Sequence, residues 1–170
     1  MGFKTDSLEF DELTSDPTTP VDGEVWYNSA EERHKLRIGG STYGVPTFYE
    51  WAESTGISTR TSSVYGQKLR LTTSVLVAGD YYVGWQCETG NSGNDRALGV
   101  RVQVDDTTTL LENVSKHRGR ATENPPIFNV LSGFDVVTLT AGSHDIDLDW
   151  ASFASTAYIK NARLEIWRLP

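Results

Sequence analysis

From Ser63 onward, apolar and polar side chains alternate with a period of two, the signature of half-buried strands. Leu69, Leu71, Thr73 and Val75 alternate with Lys68, Arg70, Thr72 and Ser74, and Ala78-Gly79-Asp80 turns the chain. Tyr81, Val83, Trp85 and Cys87 line the next face, and the flexible loop Thr89 to Asp95 follows. Leu98, Val100, Val102 and Val104 form the cleanest alternation, ending at the turn Asp105-Asp106-Thr107. A strand is expected from Thr108 to Val114, then a long polar loop from Ser115 to Pro126. Ile127 to Leu131 and Phe134 to Thr140 read as two strands broken at Ser132-Gly133. After the turn Ala141-Gly142-Ser143, Ile146, Leu148 and Trp150 alternate with Asp145, Asp147 and Asp149. A short polar loop precedes a terminal strand from Ala157 to Leu169. About eight strands at this spacing predict an all-β fold, an antiparallel jelly-roll sandwich rather than a barrel.

The terminal strand changes phase. Ile159, Trp167 and Leu169 share one parity, while Ala162, Leu164 and Ile166 share the other. Either a bulge near Asn161 shifts the register, or both faces are covered, one by the core and one by a neighbouring subunit. The second alternative makes Ile159 and Trp167 candidates for a subunit interface.

The front of the chain is organised differently. Residues 1–16 are polar and acidic, with Leu8 and Phe10 among few apolar anchors, and read as an arm ordered against a partner. After Pro17, Pro20 and the turn Asp22-Gly23, two short segments, Glu24 to Asn28 and Lys35 to Ile38, form a hairpin. Two such strands are marginal alone. Trp26, Tyr27, Leu36 and Ile38 are therefore expected to dock on another surface. Thr47 to Glu50 matches a capping box and predicts a short helix from Phe48 to about Ser54. Its crowded aromatics Phe48, Tyr49 and Trp51 either lie on the large domain or meet around a symmetry axis. The division expected is a module over 1–45, a linker with a short helix over 46–63, and a sandwich over 64–170.

Two resemblances follow from these residues. Asp16, Pro17, Pro20, Gly23, Trp26, Tyr27, Asn28, Leu36 and Gly40 resemble a module near the N-termini of tailed-bacteriophage fibre and appendage proteins. The second runs from Leu139, Gly142, His144, Ile146, Leu148 and Trp150 to Ile159, Asn161, Ala162 and Leu164. It resembles the last strands of tumour-necrosis-factor-like jelly rolls, which commonly trimerise. Together they imply a homotrimeric virion protein, a head fibre, capsid decoration or minor tail component, that contacts other virion proteins through its front module. The alternative they leave open is a tail-fibre tip that binds host surface carbohydrate through the 89–95 and 115–126 loops.

Composition narrows the chemistry. The net charge of −8 disfavours nucleic acid as a partner, because phosphate neutralisation needs clustered Lys and Arg. No apolar run reaches the roughly 20 residues of a spanning helix, and membrane insertion is not expected. The opening MGFKTDSLEF lacks the apolar core of a signal peptide, so synthesis in the host cytoplasm is expected. Cys87 has no second cysteine to pair with and fits a small buried hydrophobe. Asp145, Asp147 and Asp149 lie roughly 7 Å apart along one strand face. That spacing suits acid–base work or calcium, but a solvated face balanced by nearby Lys or Arg is the plainer reading. His34, His117 and His144 have no metal-ligand spacing. No nucleophile or phosphate-loop motif is present, and neither an enzyme nor a cofactor is expected. Lys116, His117, Arg118 and Arg120 form a basic loop that suits an acidic neighbour or a phosphate-bearing glycolipid. Trp85 and Trp150 fall in core phase; Tyr82 has the opposite parity and is expected outside.

Overall fold

A computed structural model describes residues 12–31, 33–44, 48–117 and 127–169. No helix occurs among them. Leu8, Phe10, Arg118 and Arg120 lie outside the described residues, as does the side chain of His117. The chain divides into two compact units: the described residues up to Phe48 together with Arg168 and Leu169, and Tyr49–Trp167.

The front unit is a four-stranded sheet in the order β1-β2-β3-β4: Glu12–Leu13, Val25–Asn28, Arg33–Ile38 and Ser41–Gly44. β2 and β3 form the expected hairpin, with Val25 opposite Leu36 and Trp26 opposite Lys35. Gly39-Gly40 ends β3 and turns the chain. Both glycines have positive φ, 58° and 77°, as a two-residue primed turn requires. β4 then pairs back on β3, with Leu36 opposite Tyr43.

The second unit contains β5 (Tyr49–Ser54), β6 (Ser58–Arg60), β7 (Gly66–Thr72), β8 (Gly79–Asn91), β9 (Arg96–Val104), β10 (Thr108–His117), β11 (Asn129–Leu139) and β12 (Asp145–Ser152). The last strand, β13 (Ala157–Arg168), completes it. One sheet has the order β10-β9-β12-β7 and the other β11-β8-β13-β5, with β6 also pairing β13. The described pairings within both sheets are antiparallel. Successive strands cross between the sheets at β6–β7, β7–β8, β8–β9, β10–β11, β11–β12 and β12–β13, the connectivity of a jelly roll. The core lies between the sheets. Val100, Val102, Val104, Ile146 and Leu148 come from one side, and Tyr81, Val83, Cys87, Ile159, Leu164 and Ile166 from the other, all buried. Burial pushes the Cys87 thiol up to about 12, with Glu88 adding to it, so it packs as a small apolar group.

Three local expectations change. Residues 49–54 are a strand, not a helix, because pairing with β13, Tyr49 opposite Trp167, satisfies their backbone groups. Ser58–Arg60, inside the expected loop, pairs with Ala157–Ile159. β11 runs unbroken through Ser132-Gly133. Gly133 serves packing rather than a turn: a Cβ there would stand 2.9 Å from the Trp85 ring. The phase change in β13 is a local kink at Asn161, whose φ is +48°; Ile159 before it and Ala162 after it both enter the core.

Candidate functional surfaces

The front sheet has two unlike faces. Alternation puts Trp26, Asn28 and Lys35 on one of them, and all three are buried. Asp16 organises that face. Its Oδ1 accepts from the Trp26 indole at 3.2 Å and from the Asn28 amide at 2.8 Å, and its Oδ2 accepts from Lys35 Nζ at 2.8 Å. Lys35 also bonds Glu31. Burial pushes Asp16 up, but the Lys35, Asn28 and Trp26 hydrogen bonds outweigh it and hold the carboxyl below its usual range. Trp26 is therefore not a docking residue. It is 1% exposed and its one polar atom is already bonded within the unit.

The other face carries the apolar residues. Val25, Ile38 and Tyr43 are exposed there, while Leu36 and Tyr27 are half-buried. Tyr27 packs against His34 with ring centroids 5.1 Å apart. Tyr27, Leu36 and Ile38 keep a place on an accessible surface. Val25 and Tyr43 join them, and Tyr43 was missed because β4 has no apolar alternation of its own.

The sandwich also has two unlike outer faces. On the β10-β9-β12-β7 sheet, Asp147 is 1% exposed and clamped by Arg70, with Nε and Nη2 each 2.7 Å from its two oxygens. Arg70 Nη1 reaches Asp145 at 3.0 Å, and Arg101 bonds Asp149 at 2.7 Å. The guanidinium of Arg101 also lies 4.7 Å from the Tyr65 ring centroid. The three aspartates are thus an array paired with two arginines, with Asp147 and Asp149 buried, rather than a solvated face. Among the described residues no group of His, Cys, Asp or Glu is arranged to hold a metal ion.

On the β11-β8-β13-β5 sheet the outward positions are aromatic. Phe134 stands edge-on to Tyr82 at 5.5 Å, and Tyr82 stacks on Trp167 at 5.3 Å. Toward β5, Arg163 lies 5.0 Å from the Trp51 ring centroid and donates to the Tyr49 hydroxyl at 2.7 Å. Phe134 is 66% exposed, Tyr49 52% and Trp51 49%. Val130 and Val136 add exposed aliphatic surface. Beside this belt, Trp85, Gln86, Ser132, Phe134, Arg163 and Glu165 line a cavity of about 540 Å³.

Of the residues expected at a subunit interface, Tyr49, Trp51 and Trp167 share this face. Ile159 does not: it is fully buried in the core, because the kink at Asn161 turns its parity inward. Phe48 belongs to the front unit. Phe134, Val136 and Arg163 were missed, although β11 carries apolar residues on both parities and so signals two covered faces. Lys116 is exposed near the end of β10.

No protein-family model matches the chain, and no curated protein matches it. Among solved structures it is similar to a chain of the infectious bursal disease virus Gx strain, at 11% identity and a TM-score of 0.48. That match covers 79% of this chain and only 38% of the viral one. It is also similar to the Eiger TNF of S. frugiperda, at 15% identity and a TM-score of 0.45, covering 74% of this chain and 94% of that one. A third similarity is to latent PorU from Porphyromonas gingivalis, at 4% identity and a TM-score of 0.46, covering 69% and 13% of the two chains. Likenesses this distant carry no functional weight, and the jelly-roll assignment stands on the strand order.

Proposed function

We propose that the chain is a non-catalytic structural protein of a bacteriophage virion, a capsid decoration, head fibre or minor tail component. It attaches through its front module and presents the sandwich as a trimeric knob. One observation carries the reading: in the front sheet, Asp16 draws Trp26, Asn28 and Lys35 inward, so the motif residues build the module and leave Val25, Ile38 and Tyr43 outward. The resemblance of residues 16–45 to phage appendage modules supports the same assignment. Attachment then belongs to the open apolar face, and the Asp16 network makes that face rigid.

Self-association belongs to the aromatic face of the β11-β8-β13-β5 sheet. Its three exposed aromatics alone offer on the order of 300 Å². A stable interface buries roughly 800 Å² per partner. Val130, Val136 and the polar pair Arg163 and Glu165 extend the patch, giving an apolar centre with a charged rim suited to a second and third copy of this chain.

Attachment is tested with Ile38→Asp and Tyr43→Asp in the particles that carry the protein. Copies per particle should fall while the purified variant keeps its melting temperature. Unchanged occupancy would remove the front sheet as the docking surface. The carbohydrate-tip reading is favoured only by the cavity beside Phe134, where an aromatic ring adjoins Gln86, Arg163 and Glu165. Specific binding of the natural protein on a host-polysaccharide array would replace the structural role.

A further inference from the structure

Two of the crossings between sheets, β7–β8 and β11–β12, meet at one histidine. His144 lies in the connection between β11 and β12 and is 8% exposed. Its Nδ1 is 2.7 Å from Asp105 Oδ2, in the turn after β9. Its Nε2 is 3.0 Å from the Thr140 carbonyl oxygen. A carbonyl only accepts, so Nε2 carries a proton. The Asp105 carboxyl is held below its usual range and accepts the Asp145 N–H at 2.9 Å with its other oxygen; an ionised carboxylate only accepts, so Nδ1 carries a proton as well. A ring that donates from both nitrogens is an imidazolium.

The backbone on either side of the ring is tied together as well. His144 N–H donates to Thr73 Oγ1 at 2.9 Å, and Thr73 N–H donates to the His144 carbonyl at 2.9 Å. Ser143 Oγ donates to the Thr73 carbonyl, and Asp105 N–H donates to the Asp145 carbonyl at 2.8 Å. His144 thus joins three segments: its ring bonds the β9–β10 turn and the β11–β12 connection, and its backbone bonds the segment leaving β7. Asp105 and Asp106 hold this turn in left-handed backbone, at φ of 52° and 56°, which non-glycine residues adopt at a cost.

We propose that His144 is a pH-sensitive clasp: as an imidazolium it ties the Asp105 turn to the β11–β12 connection, and on deprotonation it releases that end of the sandwich. The charged groups around it favour the protonated form. Asp105 faces it directly, and Asp145 is its neighbour at the head of β12. Asp106 and Arg70 meet beyond them at 3.5 Å, with Arg70 also committed to Asp145 and Asp147. On the β5 side, Glu50 accepts the Ser74 N–H. Burial pulls His144 down, but the Asp105 and Thr140 hydrogen bonds outweigh it and raise the ring above its usual 6.5. For Asp105, burial pulls the carboxyl up, and the His144 and Asp145 hydrogen bonds hold it below 3.8. The histidine's contribution is complete below pH 6.5 and is lost as pH rises through the raised value. The aspartate's contribution is complete above pH 3.8 and is lost as pH falls through the lowered one. The clasp is strongest between those limits.

The experiment is an NMR titration of the natural protein, with thermal melting from about pH 6 to 9 for the natural chain, His144→Gln and Asp105→Asn. The His144 ring should titrate with a midpoint above 6.5, both nitrogens protonated below it. The natural chain should lose several degrees of melting temperature across that rise, of the order set by one lost charged hydrogen bond. His144→Gln should start lower and stay flat. Asp105→Asn should bring the histidine midpoint down, an outcome that remains readable if the glutamine variant does not fold. A midpoint at or below 6.5 in the natural protein would overturn the proposal. So would an unchanged midpoint in Asp105→Asn.

Discussion

Arginines and carboxylates bury one another on the outside of the β10-β9-β12-β7 sheet, whereas Tyr82, Phe134, Trp51 and Tyr49 occupy the corresponding positions on its partner. Both faces come from strands that alternate with the same period, and both sheets turn aliphatic residues inward. The difference lies in how each outward side chain satisfies its own chemistry. Asp147 loses contact with water but gains both prongs of Arg70, so that face is closed by its own ion pairs. Phe134 and Trp51 touch Tyr82 and Arg163 but stay largely exposed, and it is this open area that the proposed function assigns to a second and third copy of the chain. Period two identifies which residues face outward. The type of residue decides whether the outside is finished.

The largest effect expected from breaking this contrast is on the closed face. Arg70→Leu strands the buried Asp147 carboxylate. Loss of a buried partner costs about 3–5 kcal/mol, and the partly exposed guanidinium reduces the expectation to about 2–3 kcal/mol. Urea denaturation measures it, and a change below about 0.5 kcal/mol would mean that water already solvates Asp147. Asp16→Ala comes next. It leaves the Trp26 indole, the Asn28 amide and Lys35 without their shared acceptor, at a cost of about 1–3 kcal/mol. Hydrogen exchange should rise across residues 25–44 and stay unchanged in β8 and β12. A uniform rise would show that the two units melt together.

On the open face the sign of the contrast reverses. Phe134→Ser and Trp51→Ser should change the stability of a single subunit by about 0.5 kcal/mol or less, the range for surface positions. They should still weaken self-association at least tenfold. Dissociation without loss of secondary structure, followed by circular dichroism and gel filtration, separates the two effects. Smaller than that tenfold loss of association is the change at the kink. Asn161→Ala should cost about 1 kcal/mol through its left-handed backbone. Asn161→Gly should recover most of that, although both variants lose the bond to Glu88.

Much of this architecture was legible in the sequence because burial on one side of a strand enforces alternation. Leu98 to Val104 and Ile146 to Trp150 needed nothing beyond that rule; the change of parity near Asn161 was visible, but it left a bulge and a second covered face as alternatives, and the kink is what forms. Edge strands were not legible. Tyr49–Ser54 and Ser58–Arg60 bury only one side weakly, so a capping-box pattern and a run of serine and threonine outweighed their β character. The docking set was half legible: the hairpin was plain, but no pattern shows that Asp16 pulls Trp26 inward. Ile159 was placed outside for the same reason Gly133 was taken as a break, since long-range packing decides both.

Sedimentation of the intact protein at micromolar concentration tests the central claim, that the aromatic face is completed by copies of this chain. The account predicts a trimer that Phe134→Ser and Trp51→Ser dissociate into folded monomers. A natural protein that sediments as a monomer, or a trimer indifferent to both substitutions, would contradict it.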